Sequence, residues 1–219
     1  MSAETTQKIS VGDRQVTAIA SEPEKYAGVT FLYTPGAGSN VHDPFGKHLC
    51  RELATHGVRA IRFQFPYQEA GERTPDRPAV LEDTWRAAID QLAGDTTVVG
   101  GRSMGGRIAS QVVAEGTPVA GLALFAYPLH PPGKPERRRD EHLRAITVPT
   151  FFCSGTRDAF AAPDELAEAA ALIEGATVHE LEGSDHGFNV PKSSGRTRED
   201  VFDEATTALL DWLRNRRLL

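Results

Sequence analysis

The amino-acid sequence predicts an α/β fold in which helices cover both faces of a mostly parallel central sheet with an antiparallel N-terminal hairpin. Three observations support this prediction. Apolar and β-branched runs alternate along the chain with segments whose apolar residues recur at helical spacing. The runs at 29–33 and 119–127 are apolar nearly throughout, which is typical of strands buried on both faces. The length of 219 residues suits one domain, residues 1–219, with a sizeable core.

In the first half of the chain, turn and cap residues mark the boundaries of each element. Residues 8–11 and 15–20 flank Gly12-Asp13-Arg14 and predict the hairpin at the sheet edge. Asp43 as N-cap and Pro44 in the first turn predict a helix that ends at Gly57. The other elements predicted here are a strand at 58–63, a loop at 66–75, and a helix that buries Leu81, Trp85, Ala88, Ile89 and Leu92.

The second half of the chain continues the alternation of strands and helices. Its predicted elements are strands at 119–127, 148–153 and 177–181, with helices at 107–115 and 163–173 and a final helix that opens at 197–200. Thr197 with Asp200 three residues later is similar to a capping box. Parallel sheets place their chemistry in loops at the carboxyl ends of the strands, so the residues that follow each strand are the informative ones.

Residues 100–107, Gly-Gly-Arg-Ser-Met-Gly-Gly-Arg, lie between a predicted strand and a predicted helix. They contain Gly101-x-Ser103-x-Gly105, which predicts a nucleophile elbow, a sharp turn that holds a serine in a strained backbone conformation. No bulky side chain fits two residues before or after such a serine, and glycine meets that demand. On these residues alone, a packing turn or a phosphate-binding loop is an equal alternative.

The strand ends also supply an acid and a base. A serine hydroxyl needs a base to take its proton and a carboxylate to orient and stabilise that base. Asp158 follows the strand at 148–153 and His186 follows the strand at 177–181, so serine, acid and histidine occur in the chain order of α/β-hydrolases. In the alternative interpretation, Asp158 only caps a turn.

Other histidines and a second carboxylate compete for these roles. His130 lies in a loop that faces the predicted site but precedes the acid, so we interpret it as a substrate contact or a loop anchor. Asp185 adjoins His186 and is poorly placed to reach its neighbour's ring, which favours a loop-stabilising role. The remaining histidines fall in or beside helices or inside a strand and suggest surface or packing roles; they are His42, His48, His56, His142 and His179.

Backbone N–H groups are the expected oxyanion hole, because they must stabilise the charge of a tetrahedral intermediate. Met104, first in the elbow helix, supplies one N–H group, and Ala37, in the glycine-rich loop after the strand at 29–33, supplies the second. The predicted substrate contacts are Gly36, Gly38, Tyr127 and His130. We expect no cofactor and no metal.

Three motifs carry a family resemblance. They are Thr-Pro-Gly-Ala-Gly at 34–38, Gly-Arg-Ser-Met-Gly-Gly-Arg at 101–107 and Tyr-Pro-Leu-His-Pro-Pro-Gly-Lys-Pro at 127–135. Together they resemble the α/β-hydrolase superfamily, and within it the small single-domain group related to dienelactone hydrolase and to the testis-expressed protein of the same fold. The resemblance implies hydrolase chemistry. The chain departs from that group at Pro35, where histidine is frequent, and from dienelactone hydrolase at Ser103, where that enzyme has cysteine.

Composition restricts the partners and the compartment. The formal charge of -6 and the pI near 5.7 argue against nucleic acid or an anionic membrane as partner. No apolar run reaches the length of a membrane span and residues 1–7 lack the features of a signal peptide, so we expect a cytoplasmic protein. Two cysteines, Cys50 and Cys153, are too few for a disulfide framework or a four-ligand zinc site, and we expect them to be buried.

These observations lead to two functional hypotheses from different classes. The first is a serine hydrolase that cleaves a small carboxylic ester or thioester, with no insertion long enough for a large lid between Ser103 and Asp158. The second is a non-catalytic binding or assembly module that retains the hydrolase fold. The basic residues Lys134 and 137–139 are either a solvated charge run or a feature that favours an anionic substrate.

Overall fold

The computed structural model describes residues 3–219, which form one eight-stranded sheet in the order β1-β2-β4-β3-β5-β6-β7-β8. The strands are β1 Ala3–Val11, β2 Arg14–Glu22, β3 Val29–Thr34, β4 Arg59–Phe63, β5 Thr96–Arg102, β6 Gly121–Phe125, β7 Thr150–Gly155 and β8 Thr177–Leu181. The helices are α1 Pro44–Thr55, α2 Pro66–Glu69, α3 Pro78–Leu92, α4 Met104–Ala114, α5 Pro163–Ala170 and α6 Arg198–Asn215.

The strand directions confirm the predicted fold class. β1 pairs antiparallel with β2, and β2 pairs antiparallel with β4, whereas all pairs from β4 to β8 are parallel. The hairpin is longer than predicted, because its register runs from Ala3 opposite Glu22 to Val11 opposite Arg14. Residues 3–7 are mostly polar and exposed, so backbone hydrogen bonds to β2 hold them as a strand. Because they lack alternating apolar residues, the sequence does not predict this part of the strand.

Helix caps form where the sequence predicts them. The Asp43 carboxylate accepts a hydrogen bond from the Gly46 N–H at 2.9 Å and caps α1. At α6, the Asp200 N–H donates to the Thr197 hydroxyl and the Thr197 N–H donates to the Asp200 carboxylate, at 3.1 and 2.7 Å. This reciprocal pair is a capping box, which satisfies two N–H groups that have no acceptor inside the helix.

The segment predicted as a loop at 66–75 instead begins with the single helical turn α2. The Phe65 N–H donates to the Gln68 side-chain oxygen at 2.9 Å, which closes the turn from within. Tyr67 is buried, and its hydroxyl contacts the loop that carries Ala37. A four-residue helix spans too few positions to produce a 3.6-residue pattern, which explains why the sequence does not predict it.

Helices cover both faces of the sheet, so β3 and β5 to β7 are buried along most of their length. On one face, α1 and α6 contribute Phe45, Leu49 and Leu209 to the core. On the other face, α3 and α4 contribute Trp85 and Ile108. The packing fixes the carboxyl ends of the parallel strands as one rigid edge.

Both cysteines are buried in the core beneath α1 and α6, Cys50 on α1 and Cys153 on β7. Burial raises the pKa of the Cys50 thiol to about 12 and that of Cys153 well above its usual range. The expectation that they act as small buried apolar groups is confirmed. Among the helices of residues 3–219, none combines the length and the apolar character needed to cross a bilayer.

Candidate active site

Ser103 occupies the turn between β5 and α4 in a strained backbone conformation, with φ 54° and ψ -123°. A positive φ costs a non-glycine residue about 1–3 kcal/mol and persists only where neighbouring contacts impose it. Here the Ser103 N–H donates to the Phe125 carbonyl at 2.8 Å, and the Ser103 carbonyl accepts from the Arg107 N–H at 3.0 Å. The turn therefore lifts the Ser103 side chain above the sheet edge.

Close packing around this turn explains the flanking glycines. A Cβ atom at Gly101 would lie 2.6 Å from the Thr34 carbonyl oxygen, and one at Gly105 would lie 2.4 Å from the same atom. Both distances are shorter than any ordinary contact with a rigid backbone atom. The glycine positions of the motif are therefore required by the approach of β3 and the chain that follows it.

Ser103, His186 and Asp158 form one chain of hydrogen bonds. His186 Nε2 lies 2.9 Å from the Ser103 hydroxyl oxygen, and His186 Nδ1 lies 2.8 Å from Asp158 Oδ2. An ionised carboxylate only accepts hydrogen bonds, so Nδ1 carries the proton and Nε2 is left to accept from the serine. The Asp158 side chain is fully buried and the His186 side chain is 23 % exposed, so the imidazole faces the cavity.

Asp158 contacts both its own turn and the His186 imidazole, the two arrangements that the sequence left open. Its Oδ1 accepts the Phe160 N–H at 2.8 Å, which stabilises the turn after β7, while its Oδ2 contacts His186 and accepts from the Ser154 hydroxyl at 3.2 Å. The turn contact fixes the direction in which the second oxygen points. Asp158 thus stabilises its own loop and orients the imidazole at the same time.

The loop that carries His186 is held by its own residues. Asp185 Oδ1 accepts the N–H groups of Gly187 and Asn189 at 2.8 and 2.9 Å. The Asp185 N–H donates to the Asn189 carbonyl at 2.9 Å, and Phe188 anchors the loop in the core. Asp185 therefore has the loop-stabilising position that the sequence favoured, and Asp158 is the carboxylate on the imidazole.

Side chains from α2 hold the glycine-rich loop that faces Ser103, a contribution that sequence reasoning missed. The Tyr67 hydroxyl donates to the Ala37 carbonyl at 2.8 Å. The Gln68 amide donates to the carbonyls of Gly36 and Ser39 at 3.1 and 2.8 Å. These three hydrogen bonds to its carbonyls stabilise the backbone conformation of the loop. The only sequence signal for this contribution of α2 is that α2 follows β4, whose end lies at the same edge of the sheet.

A second residue that the sequence analysis missed is Phe160, whose ring stacks on the His186 imidazole at 4.1 Å between centroids. The two ring planes are inclined by 28°. Because this stacking limits rotation of the imidazole, it supports the same ring orientation as Asp158. An aromatic residue two positions after the candidate acid is the sequence signal that could have revealed it.

The cavity above Ser103 has a volume of about 710 Å³ and is lined by Gly36, Ala37, Gly38, Met104 and His186, among others. Ala37 and Met104 therefore reach the same space as the serine. Between β6 and β7, residues 126–149 contain one short 3-10 helix, Glu141–Ala145, and add Pro128 and Arg139 to the wall. Within residues 3–219, no three histidine, cysteine or carboxylate side chains cluster so as to hold a metal ion.

Tyr127 and His130, two of the predicted substrate contacts, are buried and are not among the residues that line the cavity. The buried Tyr127 donates its hydroxyl proton to the Arg139 carbonyl at 2.7 Å. His130 lies between the Pro131 carbonyl and the Glu165 carboxylate at 2.9 and 3.0 Å. Burial alone would lower the pKa of His130, but these hydrogen bonds outweigh it and raise the pKa. Both side chains anchor the loop after β6, which is the alternative role predicted for His130.

Comparisons with known proteins agree with this architecture. A family model described as an alpha/beta hydrolase domain matches residues 27–214. Among solved structures, a serine hydrolase without lid from Xanthomonas campestris is 18% identical over 95% of this chain and 94% of its own, with a TM-score of 0.74. Dienelactone hydrolase from Anabaena variabilis is 16% identical over 98% of each chain, with a TM-score of 0.75. A serine hydrolase homologue from Coxiella burnetii is 17% identical over 95% and 98%, with a TM-score of 0.73.

Proposed function

The chain belongs to the alpha/beta hydrolase domain family, and from that premise we propose that it is a serine hydrolase of small carboxylic esters or thioesters. One observation carries the proposal. The hydrogen-bonded chain from Ser103 through His186 to Asp158 opens into a cavity that Ala37 and Met104 also line. An activated nucleophile and oxyanion donors at one point are the requirements of acyl transfer.

In the proposed first step, the Ser103 hydroxyl oxygen attacks the substrate carbonyl while His186 Nε2 accepts the hydroxyl proton. The imidazolium that results is stabilised by the buried Asp158 carboxylate. The N–H groups of Ala37 and Met104 donate to the oxyanion of the tetrahedral intermediate. When that intermediate collapses, His186 returns the proton to the leaving alcohol or thiol, and Ser103 carries the acyl group.

In the second step, water attacks the acyl-enzyme and His186 Nε2 accepts a proton from it. Collapse of the second tetrahedral intermediate releases the carboxylic acid and returns the proton to Ser103. Both steps use the same imidazole nitrogen, Nε2, and the stacked Phe160 and the Asp158 contact keep the ring in place. Residues 126–149 add only Pro128 and Arg139 to the cavity wall, which supports a small substrate that enters without displacement of a lid.

A fluorophosphonate probe tests the nucleophile directly. We expect labelling of Ser103 in the folded wild type and none in Ser103→Ala, together with loss of p-nitrophenyl ester turnover by at least about 10³-fold. Ser39→Ala is the matched control, because Ser39 also lines the cavity but should leave labelling intact. A folded wild type that neither labels nor turns over esters would contradict the proposal and favour the non-catalytic binding module.

A further inference from the structure

Four arginine side chains line the cavity above Ser103: Arg102, Arg107, Arg139 and Arg198. Among the described residues that line it, Asp43 carries the one carboxylate. This concentration of positive charge contrasts with the chain as a whole, whose formal charge is -6. A cavity with one sign of charge attracts ligands of the opposite sign.

Asp43 cannot neutralise this wall, because its two oxygens are already occupied. The buried carboxylate accepts from the Tyr33 hydroxyl at 2.9 Å, from the Gly46 N–H at 2.9 Å and from the Ser39 hydroxyl at 3.2 Å. Arg102 Nη2 adds a contact of 3.2 Å. Asp43 therefore offsets at most one of the four guanidinium charges.

Arg107 and Arg139 form a like-charged pair on one part of the wall. Burial, followed by the nearby charge of Arg139, lowers the pKa of Arg107, whereas Tyr127 and Glu82 act more weakly in the opposite sense. The hydrogen bond of the Arg107 side chain goes to the neutral Gln111 amide oxygen at 3.3 Å. Throughout residues 3–219, neither arginine has a carboxylate within ion-pair distance.

Arg102 and Arg198 each carry an unsatisfied donor. The buried Nε atoms of both side chains have no hydrogen-bond partner in the part of the chain that is described. Arg198 Nη2 donates to the Gly187 carbonyl at 3.0 Å, and its guanidinium carbon lies 5.1 Å from the centre of the Phe202 ring. These contacts hold Arg198 in the wall without neutralising it. Buried donors without partners are costly, so neither guanidinium is fully satisfied within residues 3–219.

The neighbouring basic residues behave differently. Arg138 is neutralised by Asp140 and Glu168 at 2.7 and 3.0 Å, and Arg137 and Lys134 are exposed away from the cavity. Of the basic run 137–139, only Arg139 reaches the wall. The basic run thus divides into Arg137 and Arg138, which lie outside the cavity, and Arg139, which lines it.

We propose that the substrate of this site carries an oxyanion group, a carboxylate or a phosphate, which binds Arg139 and Arg198 while Ser103 attacks its ester or thioester carbonyl. The inference rests on the proposed function and narrows its substrate class. Arginine guanidinium groups match the geometry of both oxyanions, because they donate two parallel hydrogen bonds.

Paired substrates test the proposal. We expect kcat/KM for 4-acetoxybenzoate to exceed that for its uncharged methyl ester, and Arg139→Gln or Arg198→Gln to lower this ratio by about 10- to 100-fold, the value of a charge-assisted hydrogen bond. Arg137→Gln is the matched control and should keep the wild-type ratio. A ratio of one or below in the wild type, or equal ratios in all three variants, would overturn the proposal.

A binding measurement tests the charged wall without catalysis. Calorimetry with glutarate and with inorganic phosphate on the folded wild type should detect binding of at least one anion, weakened at least about 10-fold by the double change Arg139→Gln and Arg198→Gln. The stronger of the two anions identifies the carboxylate or the phosphate class. If neither binds below about 10 mM, the anion site is refuted, even where Ser103-dependent turnover of neutral esters upholds the hydrolase. Anion binding without ester turnover would uphold the anion site and contradict the hydrolase.

Discussion

Two loops face each other across the Ser103 hydroxyl, and they differ in how much of their support is local. The loop that carries His186 is closed by Asp185, whose carboxylate and backbone bond to partners no more than four residues away. The loop that carries Ala37 has one internal backbone bond, from the Ser39 N–H to the Gly36 carbonyl at 3.1 Å, and its carbonyls otherwise depend on a distant part of the chain. They accept hydrogen bonds from Tyr67 and Gln68 on α2, about thirty residues later in the chain.

The two halves of the proposed chemistry therefore depend on different parts of the chain. Asp185 closes the His186 loop with hydrogen bonds inside the loop, while Asp158 and Phe160 hold the imidazole itself from the turn after β7. The oxyanion donor depends on α2, and its position therefore changes with any residue that shifts this single turn. Four substitutions, ordered by their expected effect on kcat, separate local from remote support.

The largest effect is expected from Gln68→Met, which keeps the side-chain length but removes the two hydrogen bonds that the Gln68 amide donates to the Ala37 loop. Loss of an oxyanion donor costs about 2.7–4 kcal/mol of barrier, and displacement of that donor costs part of this, so kcat should fall about 10- to 100-fold with little change in KM. Steady-state kinetics with a p-nitrophenyl ester measures the effect. Gln91→Met is the control, because Gln91 bonds to the Ser10 backbone far from the site. Similar kcat losses in both variants would refute the role of α2.

A smaller effect is expected from Asp185→Ala, which removes the local support of the His186 loop. Because Asp158 and Phe160 still hold the imidazole, kcat should fall only about 3- to 10-fold. Urea unfolding should report a stability loss of about 1 kcal/mol. Asp200→Ala loses a similar carboxylate-to-backbone contact at the α6 cap and should leave kcat unchanged. A loss of kcat larger than that of Gln68→Met would reverse the comparison.

Tyr67→Phe removes one hydrogen bond to the Ala37 loop and leaves the two from Gln68. We expect kcat to fall about 2- to 5-fold, in line with the net value of one hydrogen bond. Tyr26→Phe is the matched control, since the Tyr26 hydroxyl contacts Thr30 away from the cavity. An unchanged kcat in Tyr67→Phe would show that Gln68 alone fixes the loop.

The smallest effect on kcat is expected from Glu69→Gln at the end of α2. Burial would raise the pKa of Glu69, but hydrogen bonds from Lys8, Gln64 and Thr17 outweigh it and lower the pKa to about 2. A depressed pKa means that the ionised carboxylate stabilises the fold above its ordinary pKa of about 4.3 and loses this contribution as pH falls towards 2.

The Glu69→Gln variant should therefore be less stable than the wild type at pH 7, by about 1–2 kcal/mol after allowance for solvent screening. The difference should narrow steadily as the pH falls from 5 towards 2. Urea unfolding across this pH range measures it. A stability difference that does not change with pH would show that the carboxylate charge plays no part in holding α2.

The sequence predicts the fold because each element carries its own signal. Buried strands are continuous apolar runs, the α1 cap needs Asp43, and the elbow glycines are the only residues that fit beside Thr34. The positions of Asp158 and His186 follow from strand order alone, because the carboxyl ends of parallel strands meet at one edge. Their catalytic roles stay predictions until the serine is labelled.

The remaining features depend on contacts between distant residues and leave no local pattern. The four-residue turn α2 is too short for a helical period, and its bonds to the Ala37 loop form only in the folded sheet. Tyr127 and His130 follow β6 just as the site-facing residues follow other strands, but their side chains turn inward to Arg139 and Glu165. A strand end determines where a loop lies and leaves the direction of each side chain open.

Because both thiols are buried, the protein has two separate sites for chemical reporters, Ser103 at the surface of the cavity and the cysteines in the core. A thiolate is the form that reacts with an alkylating reagent, and Cys50 and Cys153 are both fully buried with raised pKa values. Alkylation therefore requires opening of the core beneath α1 and α6, so its rate under native conditions measures the free energy of that opening. A phosphonate directed at Ser103 reports on the site while iodoacetamide reports on the interior of the same molecule.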